Sequence, residues 1–473
     1  MTDTFMEEIG SVCMDAKSLD TSSKDAISML PDEVLGKILS SLPTKQAAST
    51  SVLAKKWRNV FRLVHNLDFD DYDLLQPEDG PEERDVMRES FRNFIDKTLA
   101  LQCGSPIKRF SLKCVIHMAS ELACVGRWIC NAVERGVLEL DVSIQTFYKL
   151  VLNSESGDFE QPEDRRYSEV FLPPELFKSK TLVKLTLGTE IDFGDIPPDV
   201  SLPALKSLCI DSIFFCCDDL CYVLLPGCPV LEELAVRHGD YEGYPYCISS
   251  RTIKKLLVHY DCEFAVEAMN SMSFDAPSLV SLDYSDYALA EYAQVNLESL
   301  VEARLDLRYS EKVKEPDVTG LIIGISNIET LHLSPGSADV ISRCVERGLF
   351  LPVLNNLINL SFESNNKRGW TLLPYLLKQC PKLETLIIQG LDGYTGDVTM
   401  RPSKVKVLHV LGYGGTSKEL EHLKSIIGES TWLELVQVEV AQGVVVDDVI
   451  LWRIYRDLKT HLGVSSKCKI KVA

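Results

Sequence analysis

Ten times between residues 182 and 410 the chain repeats one short phrase, apolar-x-x-apolar-x-apolar. The phrases are Leu182/Leu185/Leu187, Leu205/Leu208/Ile210, Leu231/Leu234/Val236, Ile253/Leu256/Val258, Leu279/Leu282/Tyr284, Leu300/Ala303/Leu305, Ile328/Leu331/Leu333, Leu357/Leu360/Phe362, Leu383/Leu386/Ile388 and Val405/Leu408/Val410. Their first residues lie 21 to 29 positions apart. Alternation within the phrase is the period of a strand, and one such strand alone has nothing to bury its apolar side against. Stacking gives each strand two neighbours and a shared core, so the spacing predicts parallel strands wound into a curved solenoid. A single compact α/β core is the competing architecture, but at 473 residues the chain is longer than one such core supports. Weaker copies begin at Ile107, Val137 and Leu435, and the polar run Asn153–Arg166 reads as a loop.

Side chains alternate faces along a strand, so the residues between the anchors should line the open, concave side. The candidates for target contact there are Lys184, Thr186, Glu233, Ser281, Asp283, Glu302, Arg304, Thr330, His332, Asn359, Ser361 and His409. A recognised protein would sit on such a surface. Plain solvation suits the same pattern, and these residues alone do not separate the two.

Ahead of the repeats, Leu30–Phe61 reads as three short helices. Pro31 opens the first, where a missing N–H costs no intrahelical bond, and Asp32 and Glu33 favour the positive end of the helix dipole. Val34, Leu35, Ile38, Leu39 and Leu42 recur at helical spacing. Pro43 stops the helix, and Thr44 is placed to cap the next. Val52, Leu53, Trp57, Val60 and Phe61 form the third stripe, with Lys55, Lys56 and Arg58 on its wet side. A hook of about thirty residues does not close a core by itself. Its apolar surface must meet another one, either as a cap on the repeats or as a docking module for a partner.

Residues 1–24 are polar and aperiodic and read as a disordered lead-in. Asp68–Asp85 is acid-rich, contains Pro77, Gly80 and Pro81, and reads as a solvated linker. Val86–Leu101 has helical periodicity. The C-terminal order is strand Ser403–Val410, turn Gly412–Gly415, helix Thr416–Ile427, strand Leu433–Val440, helix Val446–Leu462 and strand Lys467–Val472.

The formal net charge of −20 and pI of about 4.9 argue against a nucleic-acid partner or a membrane surface, each of which needs a clustered basic face. Fifteen irregularly spaced cysteines, an acidic N-terminal stretch and no long apolar run predict free thiols in a reducing compartment, cytoplasm and/or nucleus. Cys209, Cys216, Cys217, Cys221 and Cys228 near His238 invite a zinc reading. Structural zinc needs two closely spaced ligand pairs, and only Cys217 and Cys221 approach one. Gly412-Tyr413-Gly414-Gly415 lacks the residues of a phosphate-binding loop. The eight histidines sit in no motif that would pair them with a nucleophile. No catalytic residue, metal site or cofactor is expected.

Three stretches carry a family resemblance. Leu30-Pro31-Asp32-Glu33-Val34-Leu35, Ile38-Leu39-Ser40-Ser41-Leu42-Pro43 and Ser51-Val52-Leu53-Ala54-Lys55-Lys56-Trp57-Arg58 together resemble an F-box, with Ala54 where that family often has Ser. Leu172-Pro173-Pro174-Glu175-Leu176-Phe177, Cys228-Pro229-Val230-Leu231-Glu232-Glu233-Leu234 and Cys380-Pro381-Lys382-Leu383-Glu384-Thr385-Leu386 resemble the leucine-rich repeats of plant F-box proteins. Glu419–Lys424 and Cys468–Val472 resemble the FBD module found behind such repeats. The resemblance implies an α/β chain with a three-helix F-box at 25–70, an acidic linker and helix at 71–102, a horseshoe-like leucine-rich-repeat solenoid at 103–400 and an FBD-like cap at 401–473. It further implies a non-catalytic substrate-recognition subunit of a Skp–cullin–F-box ubiquitin ligase. The F-box would bind the Skp-family adaptor, and through it cullin and RING subunits, while the repeats hold an unidentified target protein. A non-ubiquitinating interaction scaffold needs the same parts and stays open. Carried over by position, Leu30, Pro31, Ile38, Leu39, Leu42, Pro43, Val52, Leu53 and Trp57 are the adaptor contacts or their scaffold.

Overall fold

The computed structural model describes residues 27, 29–71, 81–102, 105–116, 119–146, 170–188, 191–192, 196–211, 218–238, 246–261, 263, 271–313, 315–393, 404–427, 432–441, 448–462 and 468–473. The lead-in 1–24, the middle of the acidic run, the loop Asn153–Arg166, Cys216 and Cys217 lie outside the described residues. The chain divides into two compact units, residues 1–215 with 226–231, and residues 216–225 with 232–473.

The first unit begins with α1 (Asp32–Leu39), α2 (Thr44–Thr50) and α3 (Lys55–Phe61). There follow β1 (Asn66–Asp70), α4 (Pro81–Leu101), β2 (Arg109–Ile116), α5 (Ala119–Glu134), β3 (Glu139–Thr146), β4 (Val170–Phe171), β5 (Lys184–Gly188), β6 (Ile191–Asp192) and β7 (Ser207–Asp211). β1, β2, β3, β5 and β7 pair in that order, all parallel, and β4 pairs with β6. The register aligns Leu67, Phe110, Leu140, Leu185 and Leu208 in one buried row.

The acidic run yields a correction here. Asn66–Asp70, part of which reads from sequence as linker, is the first strand of the ladder. Leu67 and Phe69 point into the core, while Asp68 and Asp70 face outward and disguise the alternation. The helix behind it starts at Pro81 rather than Val86.

The second unit contains β8 (Glu233–His238), β9 (Cys247–Ser249), β10 (Lys255–Tyr260), β11 (Ser271–Asp275), β12 (Ser281–Tyr287), β13 (Glu291–Asn296) and β14 (Glu302–Arg308). It continues with α6 (Thr319–Gly324), β15 (Thr330–Leu333), α7 (Pro335–Glu346), β16 (Asn359–Glu363), α8 (Lys367–Lys378), β17 (Thr385–Gln389), β18 (Val407–Tyr413), α9 (Ser417–Ile427), β19 (Leu435–Val440), α10 (Asp448–His461) and β20 (Lys469–Val472). β8, β10, β12 and β14 through β20 form one parallel ladder in that order. β13, β11 and β9 make a second, three-stranded sheet. Thus the early return legs of this unit are strands and the later ones are helices. Phe274 of β11 and Tyr292 of β13 pack edge-on against Tyr284 of β12 at 5.4 and 6.2 Å, filling the space between the sheets.

Each of the ten phrases becomes a strand of a ladder, and all thirty anchor residues are at most 4% exposed. Burial of that extent is the main favourable term in the fold. One backbone contact recurs at the strand entries of each unit. Two successive N–H groups donate to a single carbonyl of the preceding repeat. In the second unit the pair Lys254/Lys255 donates to Glu232 O, Val280/Ser281 to Lys254 O, Val301/Glu302 to Val280 O, and so on to Glu434/Leu435 on Lys406 O, at 2.7 to 3.1 Å.

The segment after residue 403 extends the ladder of the second unit, with β18, β19 and β20 adding to β17 in the same sense. Its glycine turn is held from inside. The Glu419 carboxylate, buried in the first turn of α9, accepts from Gly414 N at 2.9 Å and from Thr416 N and Oγ1 at 2.8 Å, while Glu419 N donates to Thr416 Oγ1 at 3.2 Å. This reciprocal cap fills the position an anion would take. Deeper in the unit, Trp370 meets the His422 ring at 4.3 Å, and burial holds the His422 imidazole down to about 4.

Glu419→Ala should release the turn by about 1–2 kcal/mol. Hydrogen exchange should show lost protection at Gly414 and Thr416, with β8–β12 unchanged.

Candidate protein-interaction site

The N-terminal hook is built as one piece with the first repeat. Lys56 Nζ donates to Leu30 O at 3.0 Å and lies 3.5 Å from Asp32, tying the start of α3 to the start of α1. Gly36 makes the close packing of α1 possible, since a Cβ there would lie 2.8 Å from Leu63 Cβ. Ser40 Oγ accepts from His65 N at 3.0 Å, and Asn66 Nδ2 donates to Ser40 O at 3.0 Å. Thr44 departs from its expected role. Pro43 occupies the cap position of α2 without a side-chain bond, and the buried Thr44 hydroxyl instead accepts from Asp68 N at 2.6 Å. A local helix rule points to the cap; the strand that takes the hydroxyl is twenty-four residues away.

The nine hook candidates separate by exposure. Leu39, at 1% exposed, is buried, as are Leu35, Val60 and Phe61 of the hook. Leu30, Leu42 and Trp57 are half-buried. Pro31, Ile38, Pro43, Val52 and Leu53 are exposed, Leu53 at 76%. Three further apolar side chains are exposed on the same stretch: Ile27, Met29 at 81%, and Val34, one helical turn before Ile38. Ile27 and Met29 precede the first helix and belong to no period, so the sequence carried no signal for them. Burying a side chain of this size is worth roughly 1.5–3 kcal/mol. Leaving so many of them in water adds nothing to the hook's own stability, and such a patch marks an interaction surface.

The open-face candidates fall into register. In the second unit, Glu233, Ser281, Glu302, Thr330 and Asn359 share one row, and Asp283, Arg304, His332, Ser361 and His409 share the next. Lys184 and Thr186 hold the corresponding positions on β5 of the first unit. Neighbours that the phrase alone does not single out complete the face. Lys255 pairs with Glu233 at 3.1 Å, His259 with Asp283 at 3.0 Å, and Ser285 Oγ donates to Asp306 at 3.0 Å. His332 lies 3.5 Å from Glu302; its burial, then the Arg304 charge, hold the imidazole below its usual range. These strands run one pair of residues beyond the phrase, which is why a third row appears.

Among the described residues no His/Cys/Asp/Glu group is arranged to hold a metal. Cys221 Sγ donates to Cys247 O at 2.6 Å, and burial pushes the thiols of Cys228 and Cys380 up to about 12. These are core thiols. Among the described residues no helix is long and apolar enough to cross a membrane.

A small pocket between α4, β2 and α5 is lined by Asp71, Arg88, Arg92, Cys114, Glu121 and Trp128 among others. Both Asp71 oxygens lie 3.1 Å from the donating Val115 N. Burial pushes the Asp71 carboxyl up to about 7; the Val115 N–H and Arg88 oppose the rise, while Asp70 and Glu121 add to it.

A three-helix hook fused to parallel-strand repeats defines a leucine-rich-repeat protein with an N-terminal F-box. Comparison with known proteins agrees. The F-box domain model matches residues 27–69, and the model described as FBD-associated F-box protein At5g56370, LRR repeats, matches residues 125–299. F-box/LRR-repeat protein At3g60040 of Arabidopsis thaliana is 55% identical over 97% of this chain and its own full length. F-box/LRR-repeat protein At1g06630 of the same plant is 51% identical over 90% of this chain and its own full length. The chain belongs to the plant F-box/LRR-repeat family. That family points to a protein-interaction role, its members are generally non-catalytic adaptors, and an F-box implies a Skp-family adaptor as partner in general.

Leu39→Ala should destabilise the first unit by about 2–5 kcal/mol, whereas Leu53→Ala should stay within about 0.5 kcal/mol of the parent; chemical denaturation followed at Trp57 separates them. Asp71 gives a pH signature. Its carboxyl is raised in the folded state, so the native chain binds more protons than the unfolded chain between the ordinary carboxylate value and about 7. Stability from this group is therefore complete at low pH and is lost as pH rises through about 7. Asp71→Asn should flatten the stability profile of the first unit between about pH 4 and 7.

Proposed function

We propose that this chain is the substrate receptor of a Skp–cullin–F-box ubiquitin ligase, working inside the cell in the cytoplasm, the nucleus or both. The exposed apolar side chains of the hook carry the reading. Pro31, Ile38, Val52 and Leu53 would dock the Skp-family adaptor, and Leu39, buried beneath them, would hold their shape. The hydrogen bonds that Ser40 and Thr44 accept from His65, Asn66 and Asp68 make the hook one body with the first strand, so an adaptor gripping the hook would also fix the orientation of the repeat behind it. Cullin and RING subunits would join through the adaptor.

The repeats would hold the target on their open face. No reactive group of this chain is needed for that task. The receptor's contribution to rate is to keep a target lysine near a ubiquitin thioester carried by another subunit, which turns a bimolecular encounter into a local one.

Pro31→Ala combined with Leu53→Asp should abolish co-purification of the Skp-family adaptor while circular dichroism and the thermal transition stay unchanged. Undiminished co-purification from a folded variant would overturn the docking reading. Ubiquitination of a target that ignores the same variant would leave the hook without this role.

A further inference from the structure

The open face of the second unit changes character along the ladder. From β8 to β14 its acidic groups hold partners within the face: Glu233 with Lys255, Asp283 with His259, Glu302 with His332, and Asp306 with the Ser285 hydroxyl. A partner would have to break those pairs before using them. From β17 to β20 the same rows present part-exposed apolar side chains instead. Val407 stands opposite Leu435, Ile387 stands opposite His409, and Leu411 follows His409 by two residues on the same face. The corresponding rows on β8 to β14 hold one comparable residue, Leu257. Beyond Leu435 the edge strand adds Lys469, in register with it, and Lys471, in register with Gln437. Both lysines are exposed, and among the described residues neither has an ion-pair partner. On a chain of net charge −20, an apolar patch beside two available cations is a local reversal.

We propose that the face of β17–β20 is the point where this receptor anchors its target, and that the anchored element is an extended segment with one bulky apolar side chain flanked by carboxylates. This rests on the receptor reading above and names the chemistry of the partner. Strands stand about 4.8 Å apart, so the distance from Ile387 to Lys469 spans three intervals, enough for one large side chain and its neighbours. The apolar side chain would lie over Ile387, Val407, Leu411 and Leu435, removing them from water. The flanking acids would meet Lys469 and Lys471, which supplies selection by charge and speeds encounter. Glu439 borders the patch beside His409, 3.9 Å from its Nε2, and disfavours an acid on that side, so the segment's polarity across the strands is set as well.

The test is a display selection of random dodecamer peptides against the full chain, followed by fluorescence anisotropy with the enriched peptide. Enriched sequences should carry Leu, Ile, Phe or Trp next to Asp or Glu. Binding should fall at least tenfold with Lys469→Glu plus Lys471→Glu, and at least tenfold with Leu435→Ser, while Lys255→Glu leaves it unchanged. Raising salt should weaken the parent's binding more than the double-lysine variant's. Failure to enrich any peptide, enrichment of peptides without acids, or binding indifferent to the double-lysine variant would overturn the proposal. The lysine variant's adaptor co-purification distinguishes the two readings. Binding lost on the β8–β14 face instead sinks this anchor and leaves the receptor intact, whereas loss of adaptor docking in the hook test does not touch the peptide result.

Discussion

Two backbone N–H groups resting on one carbonyl of the repeat before them set the phase of each ladder. In the second unit this contact returns at strand after strand, from Lys254/Lys255 on Glu232 O to Glu434/Leu435 on Lys406 O. It fixes where each strand enters, and therefore which of its side chains point inward. A strand has period two, so an entry shifted by one residue would turn Leu360 and Phe362 out and Asn359 and Ser361 in. The apolar core and the order of the open face both depend on that phase. The return legs do not carry the phase, and they are correspondingly free to be strand at β9, β11 and β13 or helix at α6, α7 and α8.

The hook solves a different problem with the same economy of parts. It is too small to be stable alone and too exposed to be merely a cap. Its stability comes from bonds to the strand behind it, through Ser40 and Thr44, and from Gly36 lying against Leu63. This arrangement leaves its outward apolar side chains free of any structural duty. Surface and support are thus carried by different residues, Leu53 for the one and Leu39 for the other.

Much of this was legible in the sequence because its signals are local. The ten phrases are short, and their three anchors lie within six residues, so each strand announces itself. The hook's residue order is equally compact. What could not be read depends on residues distant in the chain. Thr44 looks like a helix cap until Asp68 takes its hydroxyl. Phe69 looks like part of an acidic linker until Leu112 pairs beside it. The exposure of Met29, the carboxylate of Glu419 folded into its own glycine turn, and the apolar patch around His409 are likewise properties of assembled neighbours. The polar candidates between the anchors leave out the apolar positions Ile387 and Val407, and the weaker copy that reads from sequence as beginning at Leu435 is out of phase: Leu433, Val436 and Val438 are the buried set, and Leu435 lies half-buried on the open face.

Because each anchor residue faces in and its neighbour on either side faces out, the two sets of positions are separate alphabets. The inward one spells the fold and tolerates few letters. The outward one is stitched to nothing but water and an adjacent row, so its letters can be exchanged singly at little cost in stability. A gene lineage carrying this architecture can therefore try new recognition surfaces one codon at a time while the scaffold and its handle stay constant. Duplication followed by drift across a few outward rows would then yield interaction surfaces that differ from copy to copy.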